Sequence, residues 1–308
     1  LLPRAFESIE VTGQISSETA LLTGLHAGTP VVAGAGDQAA SAVGNGIVSP
    51  GLTSATLGTS GVIFAYTKAP KLDPQGRIHT FCHAVPKKWH VMGVTQGAGL
   101  SLRWFREQFG AAESWYAREI AADPYEIIIQ EAQKIPPGSD GLLFLPYLMG
   151  ERTPHLDAEA RGAWFGLTAG HTRGHLIRAI LEGVAFSLRD SLEIFKELKI
   201  PVNQIRASGG GSRSPLWRQI QADIYGTDVV TLSEAEGSAY GAALLAGVGA
   251  KVYKSVEEAA KHTIRIHESV APKPDNTRAY DRLYQIYRGL YPAVRNLSHQ
   301  LGRLGREA

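Results

Sequence analysis

A single cysteine, Cys82, among 308 residues leaves no partner for an internal disulfide and excludes a cysteine-built zinc centre. That usage fits a reducing compartment, so a cytoplasmic location is expected. Cys82 lies between Phe81 and His83 in an apolar strand-like run, where we expect a packed structural thiol. Charge of one sign is lacking too: 31 Lys and Arg against 29 Asp and Glu leave a formal net charge of +2. With no dense basic run either, the balance argues against a broad nucleic-acid surface. No apolar stretch approaches the roughly 20 residues of a membrane helix, and no signal-peptide pattern opens the chain. An initiating methionine is also missing. The chain starts at Leu1 inside a turn-and-strand pattern, which reads as a processed chain or a piece of something longer. What is there, 44% hydrophobic and 19% charged residues, is ordinary globular composition, enough for two domains or one elaborate one.

Residues 1–30 are polar and mixed, and Thr29-Pro30 leads into a short strand at Val31. A helix is expected over 37–47, and Ser49-Pro50-Gly51 then punctuates the chain as a hinge or boundary. Short strands follow at 53–57, 62–66, 80–84 and 89–94, the first two joined by the hairpin Gly58-Thr59-Ser60-Gly61. Apolar residues at spacing four from Leu176 to Leu192 predict a long helix over 176–198. A strand at 205–207 enters Gly209-Gly210-Gly211, and Ser214-Pro215 opens a helix through Tyr225 with Pro at its first position. A strand over 229–232 and a helix of small residues over 238–245 come next. The tail 280–301 is helical, its aromatic side chains read as packing and Pro292 as a kink. This alternation predicts a mixed α/β layer fold, without repeats or low-complexity tracts.

The most informative run is Val31-Val32-Ala33-Gly34-Ala35-Gly36-Asp37-Gln38-Ala39-Ala40. A β-branched pair leads into a glycine-spaced turn that permits sharp bending and close ligand approach. The carboxylate at its tip, Asp37, is either a helix N-cap or a base facing a cleft. Three glycine-and-hydroxyl loops, Gly58–Gly61, Gly97–Ser101 and Gly209–Ser214, each follow a strand and can turn N–H groups toward an anion. Together with an isolated acid they suggest a nucleotide cleft. They match neither the Walker loop nor the dinucleotide fingerprint, and the protein-kinase triplets are absent. Glu151 and Arg152 read either as an ion pair holding a loop or as part of a substrate cleft. His83, His90, His155, His171 and His175 show no metal-ligand spacing, with His175 at a helix start. Glu182, alone in an apolar helical pattern, is expected to satisfy neighbouring polar groups.

Gly162-Ala163-Trp164-Phe165-Gly166-Leu167, seven residues, then His175-Leu176-Ile177-Arg178-Ala179-Ile180-Leu181-Glu182 resembles the second signature of the FGGY carbohydrate kinases. Three further stretches resemble the xylulose kinases within that family. They are Pro146-Tyr147-Leu148-Met149-Gly150-Glu151-Arg152-Thr153-Pro154-His155, Phe81-Cys82-His83-Ala84 and Trp89-His90-Val91-Met92-Gly93. The resemblance runs from about residue 30 to about residue 250. It implies the α/β actin/hexokinase-like ATPase fold, built of ribonuclease-H-like domains, with ATP and Mg²⁺ as cofactors and a sugar hydroxyl, D-xylulose above others, as acceptor.

Carried over residue by residue, the resemblance makes Asp37 the general base and a substrate contact, and Gln38 a partner of substrate hydroxyls. Thr59 falls in the phosphate-binding hairpin, Gly99 in the nucleotide loop, and Gly210, Gly211 and Ser214 in the adenosine-side turn. No metal ligand is carried over. Arg103 stands where glycerol kinases carry glutamine, so no nucleotide contact is carried over to it. The family's opening strand–turn–strand and its Met-His-Gly-like stretch have no counterpart here. The implied division is therefore 1–51 as the end of the first domain and 52–308 as the second. Such a chain is expected to be inactive by itself, because the missing first domain completes the sugar pocket. Membrane and nucleic acid are not expected as partners, and the exposed packing surface leaves room for a homodimer. A kinase for another sugar or polyol, and a non-catalytic actin-like nucleotide-binding module, remain the alternatives.

Overall fold

The computed structural model describes residues 3–233 and 237–307. In chain order the strands are β1 (Val11–Gln14), β2 (Pro30–Val32), β3 (Gly51–Leu57), β4 (Gly61–Thr67), β5 (His79–Cys82), β6 (Trp89–Thr95), β7 (Leu143–Leu145), β8 (Ala163–Phe165), β9 (Val202–Ser208), β10 (Val229–Leu232) and β11 (Ile266–Val270). The helices are α1 (Ser17–Thr23), α2 (Asp37–Gly44), α3 (Gly99–Phe109), α4 (Ala111–Glu119), α5 (Pro124–Gln133), α6 (Arg173–Glu197), α7 (Pro215–Tyr225), α8 (Gly237–Gly249), α9 (Val256–Thr263) and α10 (Pro274–Glu307).

Seven strands form one mixed sheet in the order β11-β10-β9-β3-β4-β6-β5. β3, β9 and β10 run parallel, and the remaining neighbours pair antiparallel. Side chains alternate across a strand, and β4 uses that to serve two cores. Ile63 and Ala65 face a large core that includes residues of α3, α5, α6, α7 and α10. Phe64 and Tyr66 face a smaller one shared with α2, α8 and α9. Helices thus cover both faces of the sheet, as the α/β layer expectation required.

The long helix expected over 176–198 is α6, running 173–197. Thr172 and His175 form its capping box, so His175 stands at a helix start as read. Glu182 accepts from Gly138 N–H, the Ser139 hydroxyl, the Arg178 guanidinium and the Tyr280 hydroxyl, satisfying neighbours as expected. The tail is α10, and its stripe Tyr280, Tyr284, Tyr287 and Tyr291 is buried. The helix runs unbroken from Pro274 to Glu307 with Pro292 inside it. Asp157 anchors its far end, accepting from Tyr291, Arg295 and His299. Burial opposes the charge there, but these donors together hold the carboxyl well below the usual carboxylate range.

α2 lies hard against α8 because both lack bulk where they cross. A Cβ on Gly44 would sit 1.9 Å from Gly237 O, and one on Gly241 1.8 Å from Ala40 O. The small residues read as a helix over 238–245 are thus a contact surface, and the helix extends to 249. Cys82 departs from expectation. It lies exposed on β5, at the edge of the sheet, next to a likewise exposed Phe81, so neither face of the strand is covered there.

Candidate functional site

Three glycine-bearing segments meet at a cavity of about 670 Å³, within the usual size range of small-molecule sites. Its lining contains Gly58 and Thr59 from the β3–β4 hairpin, Gly99 and Arg103 from α3, and Gly210, Gly211, Arg213 and Ser214 from the bend before α7. Leu57, Leu102, Ile129 and Trp217 supply apolar wall. Thr59, Gly99, Gly210, Gly211 and Ser214 therefore share one space.

Each segment reaches it differently. Leu57 pairs with Gly61 to close the hairpin, and Gly58 N–H donates to Ser60 O at 3.0 Å. Thr59 is exposed, and its hydroxyl makes no hydrogen bond among the described residues. In the second segment two of the N–H groups are taken by the hairpin: Gly99 N–H donates to Gly58 O at 2.8 Å, and Leu100 N–H to Thr59 O at 3.1 Å. Its glycines serve close approach instead. A Cβ on Gly97 would lie 1.8 Å from Pro146 O, and one on Gly99 2.5 Å from Gly58 O. This segment holds the hairpin in place through Gly99 and Leu100.

The third segment turns at Gly209, whose φ of 79° suits glycine. A Cβ there would meet Leu57 O at 2.6 Å, and one on Gly211 would meet Leu57 Cβ at 2.7 Å. Gly210 has open space around it, with no atom within 4 Å of such a Cβ. The Ser214 hydroxyl accepts from Trp217 N–H and caps α7, with Pro215 at the first position as the sequence signal required. An oriented helix N-terminus thus faces the cavity edge. Arg103 and Arg213 are exposed and form no ion pair among the described residues, leaving two cations beside it.

The far wall, α5, was not anticipated. Asp123 caps it by accepting from Tyr125 N–H at 2.8 Å, and Tyr125, Gln130 and Gln133 line the cavity. Arg106 stacks over the Tyr125 ring at 4.7 Å. The Asp123-Pro124 pair is a helix-start signal that locates this wall.

Asp37 and Gln38 stand outside that lining. Asp37 is not the N-cap of α2; Gly36 is, and Asp37 occupies the first helical position. It is exposed, with Oδ1 accepting from Gln38 N–H at 2.7 Å and its carbonyl from the Ser238 hydroxyl at 3.1 Å. A carboxylate in the first turn is favoured by the helix dipole and remains open to solvent.

Glu151 and Arg152 do not pair. Glu151 is 3% exposed and accepts from Thr95, Gln96, Arg152 N–H and Ser187, while the Arg152 side chain is exposed. Burial pushes the Glu151 carboxyl up to about 7, against those hydrogen bonds. His83 and His90 are buried and held neutral, down to about 4, by loss of solvent, as is the half-buried His155. No group of three or more His, Cys, Asp or Glu suited to a metal ion occurs among the described residues. No helix among them is long and apolar enough to cross a membrane.

Residues 53–250 match the model of the C-terminal domain of the FGGY family of carbohydrate kinases. The chain is 39% identical over 301 residues to the xylulose kinase of Bacillus subtilis (strain 168), covering 98% of this chain and 58% of that protein. It is 36% identical over 302 residues to the gluconokinase of the same organism, covering 97% and 58%. Among solved structures it superposes on the xylulose kinase from Rhodospirillum rubrum with a TM-score of 0.86 at 34% identity, over 97% of this chain and 58% of that one. The chain thus spans a little under three fifths of the length of these relatives. It belongs to the FGGY family of carbohydrate kinases, as a C-terminal portion with the family's actin/hexokinase-like α/β ATPase fold.

Proposed function

We infer that this chain is the ATP-binding side of a sugar kinase that transfers the terminal phosphoryl group of ATP to a hydroxyl of D-xylulose, forming D-xylulose 5-phosphate and ADP. The observation that carries this reading is the meeting of Thr59, Gly99, Gly210, Gly211 and Ser214 at one cavity. The xylulose kinase relatives support the choice of sugar.

In this reading the adenosine part lies along Gly210, Gly211 and Ser214, and the phosphates lie toward Thr59. Phosphoryl transfer demands positioning and charge stabilisation above covalent chemistry. Thr59's free hydroxyl, the α7 N-terminus and the two unpaired arginines suit a polyanion. Asp37 takes the proton as the acceptor oxygen bonds to phosphorus and the bond to ADP breaks, and Gln38 orients the sugar. The exposed position of Asp37, clear of the cavity, suits a base that meets ATP only when a preceding domain closes over both. Residues 1–51 are the end of that domain, joined to residues 52–308 by the α2–α8 seam. Mg²⁺ would neutralise triphosphate charge. It keeps most of its water and binds largely through phosphates and one or two carboxylates. Such an enzyme works in the cytoplasm, where ATP is available, and a homodimer would cover part of its exposed apolar surface.

The chain mixed with the N-terminal part of a xylulose kinase is expected to release ADP only when D-xylulose is present. Asp37→Ala should lower that rate by roughly 10²–10⁴-fold and leave ATP binding intact. Xylulose-dependent turnover by the chain alone contradicts the two-domain reading. ATP binding without turnover on any acceptor favours a non-catalytic module. The gluconokinase relative makes gluconate the first competing acceptor to assay.

A further inference from the structure

The Glu151 carboxylate lies outside the lining of the cavity, yet it is tied to the cavity's phosphate end by a short chain of hydrogen bonds. Oε1 accepts from Gln96 N–H at 2.9 Å and Arg152 N–H at 2.7 Å. Oε2 accepts from the Thr95 hydroxyl at 2.5 Å and, from α6, the Ser187 hydroxyl at 3.3 Å. Thr95 ends β6, and Gln96 begins the turn into α3. At the other end of that turn, Gly99 and Leu100 hold the carbonyls of Gly58 and Thr59. Little slack exists between the parts: a Cβ on Gly61 would lie 2.8 Å from Thr95 Cγ2, and one on Gly97 still closer to Pro146 O.

A buried carboxylate is a poor device for stability alone, because desolvation offsets most of what its hydrogen bonds contribute. Four donors converging on one acid do, however, fix the relative placement of the segments that carry them. We propose that Glu151 is a positioning residue for the triphosphate: through the 95–100 turn it sets the hairpin that presents Thr59. The proposal rests on the nucleotide reading above and adds a residue that touches neither nucleotide nor sugar.

The test is calorimetric titration of the full chain with ATP and, separately, with adenosine, alongside thermal unfolding. Glu151→Gln keeps the volume but turns an amide toward groups that are themselves donors. It should weaken ATP by about tenfold, the loss expected for a hydrogen bond to a charged group, while adenosine affinity stays unchanged. Ser187→Ala removes a hydroxyl that also donates to the Thr95 hydroxyl at 2.8 Å, and should lower the ratio of ATP to adenosine affinity in the same direction by a smaller factor. If Glu151→Gln does not fold, Glu151→Asp, one methylene shorter, carries the same ratio test. A parallel loss of both ligands, or no loss of either, overturns the positioning role. If the wild-type chain gains nothing from the triphosphate over adenosine, the role falls while adenosine binding stands. Binding of neither ligand removes the nucleotide reading and this one with it.

Discussion

The turn 96–99 and the bend 209–211 are both glycine-rich, both follow a strand and both touch the same cavity, yet their glycines answer different demands. Gly97 and Gly99 stand where a Cβ would strike Pro146 O and Gly58 O, and Gly209 and Gly211 are likewise fixed by Leu57. Gly210 alone has empty space around it on the cavity side. A glycine pressed against backbone reports how the fold closes. A glycine facing empty space reports a surface that something else approaches.

The comparison breaks or sharpens most readily at Gly97. Gly97→Ala drives a methyl group into a carbonyl oxygen, and overpacking of that kind should cost about 3 kcal/mol or more in urea unfolding. Stability near that of the wild type would show that the turn yields and is not a rigid support.

Next in size is the pH response of Glu151, which underlies the same turn. Its carboxyl is raised to about 7 when folded, against roughly 4.3 in an unfolded chain. A raised carboxyl favours the folded state most at low pH, and that advantage is lost as pH rises through about 7. The stability of wild type minus that of Glu151→Gln should therefore grow in favour of wild type from pH 8 to pH 5, by up to about 3 kcal/mol. The buried Asp190, also raised to about 7, is common to both proteins and cancels. A flat difference, or one of opposite slope, refutes the burial argument.

The smallest effect on stability belongs to Gly210. Gly210→Ala meets no neighbour and restricts the unfolded chain, so stability should stay level or rise by about 0.5 kcal/mol. ATP affinity should nonetheless fall severalfold. Unchanged affinity would mean that the open glycine faces nothing that binds.

Much of this architecture was legible locally. Spacing of apolar residues located α6, the Ser214-Pro215 pair located α7, and the tyrosines of α10 declared their packing. The loops later found around one cavity were each visible as glycine and hydroxyl clusters. What escaped notice depended on distant contacts. The α2–α8 seam joins glycines some two hundred residues apart in sequence, and nothing local distinguishes a contact glycine from a flexible one. Glu151 read either as half of an ion pair with Arg152 or as part of a substrate cleft, whereas its side-chain partners come from the end of β6, the turn after it, α6 and the Arg152 backbone. Cys82 looked packed from its apolar neighbours, but β5 lies at the sheet edge and its end is uncovered on both faces. Asp37 was separated from a cap only by the observed position of Gly36.

The central claim, that the cavity between the 58–59 hairpin and the 209–214 bend holds the nucleotide, is tested most directly by titrating the 308-residue chain with ATP and repeating the titration with Gly210→Ala. Saturable one-to-one binding that ADP competes away, and that the folded variant weakens severalfold, is the predicted result. No saturable binding, or binding that is indifferent to residue 210, would contradict it.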